Sequence, residues 1–246
     1  MMIPDSPGAR LVRAKAYPFG HPKDSYLFCA GDAESLVDLT VEIRGRVPVL
    51  ASGSNAAPAQ LARKYSANGA GARIPVTRAR LKDFDSVYNA HIAAYGSIPA
   101  TLYPSPGTQL TTFITWLDEA QLSIMHATEQ PGVNYHFAEL SNITVTVDDL
   151  GPLDSAFAYI SVVGCLIFEG TPVALAEVPA EDRRFPARSQ EEMLALVRDC
   201  CAPDMALDPF ILETVADADL RATRSAQLAA NTQPFSYPGF RVIELT

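Results

Sequence analysis

A turn of small polar residues at positions 52–55 has the composition of an anion-binding loop. Gly53 lets backbone N–H groups come close to a ligand, because it has no side chain. Ser54 and Asn55 are common at the start of a helix, and Pro58 suits its first turn. Unpaired N–H groups and the helix dipole would then attract a carboxylate or a phosphate. The residue types therefore predict an acidic-ligand site, although a plain turn has the same composition.

A carboxyl group at position 129 is the second candidate for chemistry. Leu122, Met125 and Glu129 are spaced by three and four residues, which puts Glu129 on the apolar face of a helix. A carboxyl group beside a pocket can take up and return a proton, so it suits a general acid/base. The alternative is that the helix ends near His126 and that Glu129 faces water. The pattern leaves both interpretations open.

Other arrangements of reactive residues are weaker. His126, Glu129 and His136 lack the spacing of a helical metal-binding motif, so no metal site is predicted. Ser54 lacks the Gly-x-Ser-x-Gly elbow of a nucleophilic serine. The cysteines have no metal-binding spacing and are expected to be reduced thiols: Cys29, Cys165, Cys200 and Cys201.

Strands in the middle of the chain must position these residues. Apolar and β-branched runs predict strands at 36–43, 47–51, 74–88, 98–103, 110–117 and 240–245, with one or two strands in 135–147 and another pair in 152–167. Pro104 to Gly107 predicts the turn of a hairpin. Residues 1–25 are rich in proline and glycine and are expected to form an irregular arm.

Helices are predicted around these strands. An alanine-rich helix is expected at 56–65, before a loop at 66–73. Helix starts are predicted at Asp118 with Gln121 and at Ser189 with Glu192, since each pair fits a capping box. A third start is predicted at Asp208-Pro209. Segregated strands and helices predict an α+β fold rather than regular βαβ alternation.

Composition excludes several classes of function. The chain has 246 residues, 48% of them hydrophobic, so it can bury a core without disulfides or metals. No apolar run approaches the roughly 20 residues that span a bilayer, and no signal peptide is recognised, so we expect a cytoplasmic protein and no membrane partner. A net charge of −9 disfavours nucleic acid as a partner.

Several short motifs occur in order between residues 47 and 140. They are Gly53-Ser54-Asn55, Ala79-Arg80-Leu81-Lys82-Asp83-Phe84, Ala100-Thr101 followed by Ser105-Pro106-Gly107, and Glu129 after the helix that contains Leu122. In this order and spacing, the chain resembles the gamma-glutamylcyclotransferase-like family. The resemblance covers about two-fifths of the chain.

The resemblance implies a small mixed β-barrel with flanking helices and a cavity at the loop. Together with the helices predicted in the last third of the chain, the expected fold is α+β, a small mixed β-barrel of this type with flanking helices and a helical C-terminal extension. Residues 46–150 would form the barrel core. The resemblance does not explain the other segments: residues 1–45 are expected to form an arm and a strand packed on the body, and residues 151–246 a mostly helical extension of the same domain.

The resemblance also implies roles for particular residues. The catalytic glutamate would be Glu129, and the residues that bind substrate would be Ser52, Gly53, Ser54, Asn55 and Tyr135. The family has a tyrosine at the position of Ser52, so an aromatic wall is lost here or supplied by another residue. A further pocket tyrosine of the family has only Phe210 as a candidate counterpart.

The reaction implied by the resemblance is an intramolecular acyl transfer. A γ-glutamyl amine or peptide would close to 5-oxoproline and release an amine, with no metal or other cofactor. The alternative is a catalytically silent relative that binds a small metabolite or a protein partner in the same cavity. The C-terminal helices would cover the cavity or form a dimer interface, and a homodimer stays open.

Overall fold

The computed structural model describes residues 6–65 and 72–245. The helices are α1 (Pro7–Lys15), α2 (Leu39–Glu42), α3 (Pro58–Tyr65), α4 (Glu119–Glu129), α5 (Gln190–Cys201), α6 (Leu207–Ala216) and α7 (Ala218–Ala229), with a 3-10 turn at Ser54–Ala56. The long strands are β4 (Arg73–Tyr88), β5 (Ala100–Leu117), β6 (Tyr135–Val147) and β7 (Gly151–Ser161), which follow β1 (Tyr26–Cys29), β2 (Asp32–Glu34) and β3 (Val47–Leu50). Short strands complete the chain: β8 (Cys165–Phe168), β9 (Thr171–Pro172), β10 (Ala174–Leu175), β11 (Ala180–Glu181), β12 (Ala187–Arg188), β13 (Thr232–Gln233) and β14 (Phe240–Val242). Most of the loop predicted at 66–73 lies outside the described residues.

Five strands close into a barrel. Strand β4 pairs with β5, β5 with β3, β3 with β7, β7 with β6, and β6 returns to β4. Four of these pairings are antiparallel, whereas β3 and β7 are parallel, with Val49 opposite Phe157. The predicted α+β class and small mixed barrel with flanking helices are therefore confirmed.

Two apolar clusters hold the helices onto this barrel. The larger cluster joins barrel residues such as Leu50 and Ile114 to α5 and α6, through side chains such as Leu194 and Ile211. The smaller cluster packs α3 and α4 against the barrel around Phe113, which is fully buried. Burying each large apolar side chain contributes about 1.5–3 kcal/mol. The packing therefore fixes α3, α4, α5 and α6 relative to the barrel.

Two predicted helix starts are confirmed in detail. Asp118 Oδ1 accepts a hydrogen bond of 2.8 Å from the Gln121 backbone, and Gln121 Oε1 accepts one of 3.1 Å from the Asp118 backbone. At α5, Glu192 Oε2 accepts a 2.7 Å bond from the Ser189 backbone, and Ser189 Oγ caps the Glu192 N–H. Such reciprocal caps satisfy N–H groups that the first turn leaves unpaired.

The hairpin turn predicted at Pro104 to Gly107 is wrong, because these residues lie inside β5. The turn between β4 and β5 is formed instead by residues 89–99. A bulge explains the error: Asp83 and Gly107 both have positive φ, and Asp83 Oδ1 accepts a 2.7 Å bond from the Gly107 N–H. The proline and glycine therefore mark an irregularity within paired strands rather than a chain reversal.

Two predictions near the N-terminus are also wrong. The irregular arm contains α1, which starts at Pro7 because proline suits the first helical turn and Ser6 Oγ caps the Ala9 N–H. The strand predicted at 36–43 is in part the short helix α2, which Asp38 caps through the Val41 N–H. In both places a helix-capping residue determines the local structure, and the proline-rich composition or the alternation of apolar residues does not.

The barrel continues past the predicted end of its core at residue 150. Strand β7 lies within 151–246 and completes the closure, so this segment is not simply a helical extension. Its helices α6 and α7 are separated at Asp217, whose side chain caps the start of α7. Among the described residues, no helix has the length and apolar character required to cross a bilayer.

Candidate active site

A cavity of about 540 Å³ opens between the loop after β3, helices α3 and α4, and the 89–99 loop. This volume is in the range of small-molecule sites. All of the site residues predicted from the sequence line it: Ser52, Gly53, Ser54, Asn55, Glu129 and Tyr135. Residues as far as 83 positions apart in the chain therefore line the same cavity.

The loop after β3 lines the cavity and contains unpaired backbone donors. The N–H groups of Gly53 and Asn55 have no acceptor among the described residues. The backbone carbonyls on either side are held, since Ser86 Oγ donates to the Ser52 carbonyl and Thr115 Oγ1 to the Asn55 carbonyl. Unpaired N–H groups in a loop that lines a cavity can donate hydrogen bonds to a bound anion.

Tyr17 packs against this loop, and the sequence did not predict it as a site residue. Its side chain is 4% exposed and lines the cavity beside Gly53. The Tyr17 hydroxyl oxygen accepts a 2.9 Å hydrogen bond from the Ala100 N–H. Burial raises the pKa of Tyr17, so the phenol stays neutral. An aromatic wall beside Ser52 is thus supplied from the N-terminal segment, about 35 residues upstream.

Glu129 is the last residue of α4, so the alternative that this helix ends near His126 is wrong. The helix stops there because Gln130 takes the left-handed conformation, with φ of 51°. The Glu129 side chain is 14% exposed and forms an ion pair with Lys64 of α3. The carboxylate therefore faces the cavity wall rather than bulk water.

Lys64 joins Glu129 to the loop. Its side chain is 2% exposed, and its Nζ donates to Asn55 Oδ1 at 2.8 Å, to Met125 Sδ at 3.1 Å and to Glu129 Oε1. A single ammonium group thus contacts both the predicted loop and the predicted carboxylate. The spacing from Leu61 places Lys64 on the apolar face of α3, and this was the only sequence signal for it.

Neutral aromatic groups form much of the remaining wall. Tyr95, Tyr135 and Tyr159 line the cavity together with His91. Burial, aided by the Glu129 charge, raises the pKa of Tyr135, whose hydroxyl is 3.4 Å from the Ala100 carbonyl. Burial lowers the pKa of His91 to about 4, against the opposing effect of Glu129. These groups can donate or accept hydrogen bonds without adding charge.

Arg221 of α7 reaches the same cavity from the C-terminal region. Its Nη1 donates to the carbonyls of Thr214, at 2.9 Å, and Val215, at 3.4 Å. The positive charge of Lys64 is balanced by its ion pair with Glu129. The guanidinium group of Arg221 therefore adds an unbalanced positive charge at the cavity wall, although the protein as a whole has a net charge of −9. The cavity is therefore suited to an anionic ligand.

Three residues considered from the sequence lie elsewhere. His126 Nδ1 is hydrogen-bonded to the Tyr159 hydroxyl at 2.8 Å, and His136 packs against Phe240. Phe210 is in the apolar core beneath Arg224, which lies 4.2 Å from its ring centroid. Phe210 is therefore not the missing aromatic residue of the pocket.

Comparison with known proteins gives similarity in structure only. No family model matches the chain, and no curated protein matches it. Among solved structures, it is similar to a gamma-glutamyl cyclotransferase at 14% identity and a TM-score of 0.38, over 81% of this chain and 94% of that one. An uncharacterized protein from Homo sapiens is similar at 13% identity and a TM-score of 0.37, over 90% and 95%. A solution structure from Arabidopsis thaliana is similar at 17% identity and a TM-score of 0.36, over 55% and 74%.

Proposed function

We propose that this cavity converts a γ-glutamyl amine or peptide into 5-oxoproline and a free amine, with Glu129 as general acid/base. The observation that carries the proposal is the Lys64 ammonium, which contacts both Glu129 and Asn55. The carboxylate and the loop with the unpaired N–H groups therefore lie close together in one cavity. The sequence resemblance to the gamma-glutamylcyclotransferase-like family supports the same reaction.

The chemistry needs no nucleophile from the protein, since both reacting groups belong to the substrate. The α-amine attacks the γ-carbonyl carbon, the new C–N bond closes a five-membered lactam, and the original amide C–N bond breaks. The α-ammonium nitrogen loses two protons as it becomes the lactam N–H. Glu129 accepts one of them and gives it to the leaving nitrogen, and the second passes to the solvent, from which the released amine takes up a proton to become an ammonium. The protein's main contribution is to hold the flexible γ-glutamyl chain in a folded conformation.

The loop would stabilise negative charge during this reaction. The free N–H groups of Gly53 and Asn55 can donate to the substrate α-carboxylate or to the oxygen that becomes negative as the lactam forms. Tyr17 and Tyr135 add neutral hydroxyl groups beside this oxygen-binding region. The same groups would bind a γ-glutamyl ligand in a protein that does not catalyse.

The second candidate function is therefore a catalytically silent binder of a small anionic metabolite. The Lys64–Glu129 ion pair favours this candidate, because the ammonium group occupies one of the two carboxylate oxygens. A protein partner in the same cavity and a homodimer are further alternatives. The proposal includes a cytoplasmic location for either function.

The deciding experiment is an assay of the full chain with a panel of γ-glutamyl amines and γ-glutamyl dipeptides. We expect 5-oxoproline, detected by mass spectrometry, together with an equal amount of released amine. No product from any member, combined with a ligand-induced rise in melting temperature, would favour the silent binder. No product and no thermal shift would contradict both candidates.

A further inference from the structure

Lys64 has no hydrogen-bonding capacity left for a ligand. An ammonium group has three N–H donors and no acceptor. The Nζ atom has three acceptors, Asn55 Oδ1 at 2.8 Å, Met125 Sδ at 3.1 Å and Glu129 Oε1. All three N–H donors of Lys64, a cation in the cavity wall, are therefore used by neighbouring protein groups.

This arrangement fixes which way the Asn55 amide points. Because Lys64 only donates, the atom that faces it must be the amide oxygen, and the NH₂ group must face away. Asn55 Nδ2 has no acceptor in the part of the chain that the structure describes, and Asn55 lines the cavity. The amide is thus held with two N–H donors available to a ligand oxygen.

Lys64 also makes the two oxygens of the Glu129 carboxylate unequal. Oxygen Oε1 is bonded to the ammonium, while Oε2 has no hydrogen-bond donor within residues 6–65 and 72–245. The two oxygens of one carboxylate are therefore in different states, one held and one available.

We propose that Lys64 is a positioning residue that holds Asn55 as a donor and Glu129 as an acceptor for the bound ligand. This inference rests on the proposed function for its chemistry. In that reaction, Asn55 Nδ2 would donate to the γ-carbonyl oxygen, and Glu129 Oε2 would move the proton. Lys64 itself would not touch the substrate.

A purely stabilising role predicts a different outcome. Removing one partner of a buried ion pair leaves the other charge unpaired, so a purely stabilising role predicts a lower free energy of unfolding in Lys64→Met with an unchanged kcat for the folded protein. A positioning role predicts a lower kcat for the folded protein as well, since methionine has no donor for Asn55 or Glu129. A misplacement of about 1 Å in such a site lowers catalysis by about 100-fold.

The kinetic test compares Lys64→Met and Lys64→Ala with the wild type, using Lys82→Met as a control. Lys82 is exposed on β4, so its loss removes the same charge away from the cavity. We expect kcat to fall about 100-fold in Lys64→Met and to remain unchanged in Lys82→Met. Propylammonium should restore part of the kcat of Lys64→Ala in a saturable manner. Wild-type kcat in Lys64→Met would overturn the proposal.

A structural readout keeps this test separate from the proposed function. Crystal structures of the wild type and Lys64→Met should show one orientation of Asn55 and Glu129 in the first and several in the second. An unchanged single orientation in Lys64→Met would overturn the role of Lys64. Absence of 5-oxoproline from every substrate with the wild type would overturn the proposed reaction only, and the crystal structures would still decide the role of Lys64.

Discussion

The hydroxyl oxygen of Tyr17 occupies the space that a Cβ atom on residue 53 would need. The Cζ atom of the same ring lies 3.0 Å from that Cβ position, and the Cβ of Ala100 lies 3.3 Å from it. Because the hydroxyl also accepts the Ala100 N–H at 2.9 Å, it has little freedom to move away. Packing therefore requires glycine at position 53. The loop, the N-terminal segment and the start of β5 all contact each other at the Tyr17 hydroxyl oxygen.

The first prediction concerns Gly53→Ala. The added methyl group would displace the Tyr17 hydroxyl, so we expect the free energy of unfolding to fall by about 1–3 kcal/mol. Urea unfolding measures this change, and thermal shift with a γ-glutamyl ligand reports the accompanying loss of binding. In Tyr17→Phe/Gly53→Ala, removal of the hydroxyl oxygen should recover part of the lost stability.

A matched control for that prediction is Gly8→Ala. A Cβ on Gly8 of α1 would have no atom within 4 Å, so the substitution should be neutral or should stabilise the helix by up to about 1 kcal/mol. Equal stability of Gly53→Ala and the wild type would show that the Tyr17 contact does not restrict residue 53.

The second prediction concerns Glu129→Gln. Glutamine can still accept from Lys64, so the fold and the cavity should be retained, but it cannot carry the proton between the two nitrogens. We expect kcat to fall by a factor on the order of 10²–10⁴, with little change in ligand affinity. Initial rates of 5-oxoproline formation and calorimetric titration measure the two quantities.

Glu119→Gln provides the control for this substitution. Glu119 is exposed in the first turn of the same helix, so its loss removes an equal charge without reaching the cavity. Its kcat should match the wild type. Full activity in Glu129→Gln would exclude Glu129 as the general acid/base and would leave the binding function as the better candidate.

The sequence predicted the loop and Glu129 because each depends on short-range features. Gly53 and Asn55 belong to one turn, and Glu129 follows Leu122 and Met125 at helical spacing. The capping pair of Asp118 and Gln121 fixed where that helix begins, and Gln130 ends it one residue after Glu129. Local rules of this kind need no knowledge of the tertiary structure.

The residues that the sequence missed depend on tertiary packing. Tyr17 reaches the loop from about 35 residues upstream, and Arg221 reaches the cavity from a helix about 90 residues after Glu129. Nothing in their own neighbourhoods indicates these contacts. The error at Pro104 to Gly107 has the same origin, since pairing with β4 along its length overrides a local turn signal.

The third prediction uses the charge of Arg221 to separate two kinds of substrate. γ-Glutamylalanine and γ-glutamylethylamine differ only by a carboxylate on the leaving amine. A hydrogen bond to a charged group contributes about 1.5–3 kcal/mol, so Arg221→Gln should lower kcat/KM for γ-glutamylalanine about 10- to 100-fold. The value for γ-glutamylethylamine should stay nearly constant. Parallel losses for both substrates would contradict a direct contact between Arg221 and the carboxylate.

The last prediction concerns stability in acid, through His21. Both ring nitrogens of His21 are buried without a hydrogen-bond partner among the described residues, and the ring packs against Phe113 at 5.2 Å between centroids. Burial, with a smaller effect from the charge of Arg78, lowers the pKa of His21 from 6.5 to about 4. Between these values the unfolded chain binds a proton that the native state does not, so the free energy of unfolding falls as the pH drops.

The measurement is urea unfolding of the wild type and His21→Phe at several pH values between 6.5 and 4. One such histidine contributes a slope of at most about 1.4 kcal/mol per pH unit, and less where its ring retains contact with water. Phenylalanine keeps the aromatic packing against Phe113 and removes the titrating group. His21→Phe should therefore lose less stability on acidification than the wild type. Burial also lowers the pKa of His91 to about 4, and this histidine destabilises both proteins equally as the pH falls. Identical slopes for the two proteins would show that His21 is not buried in its neutral form.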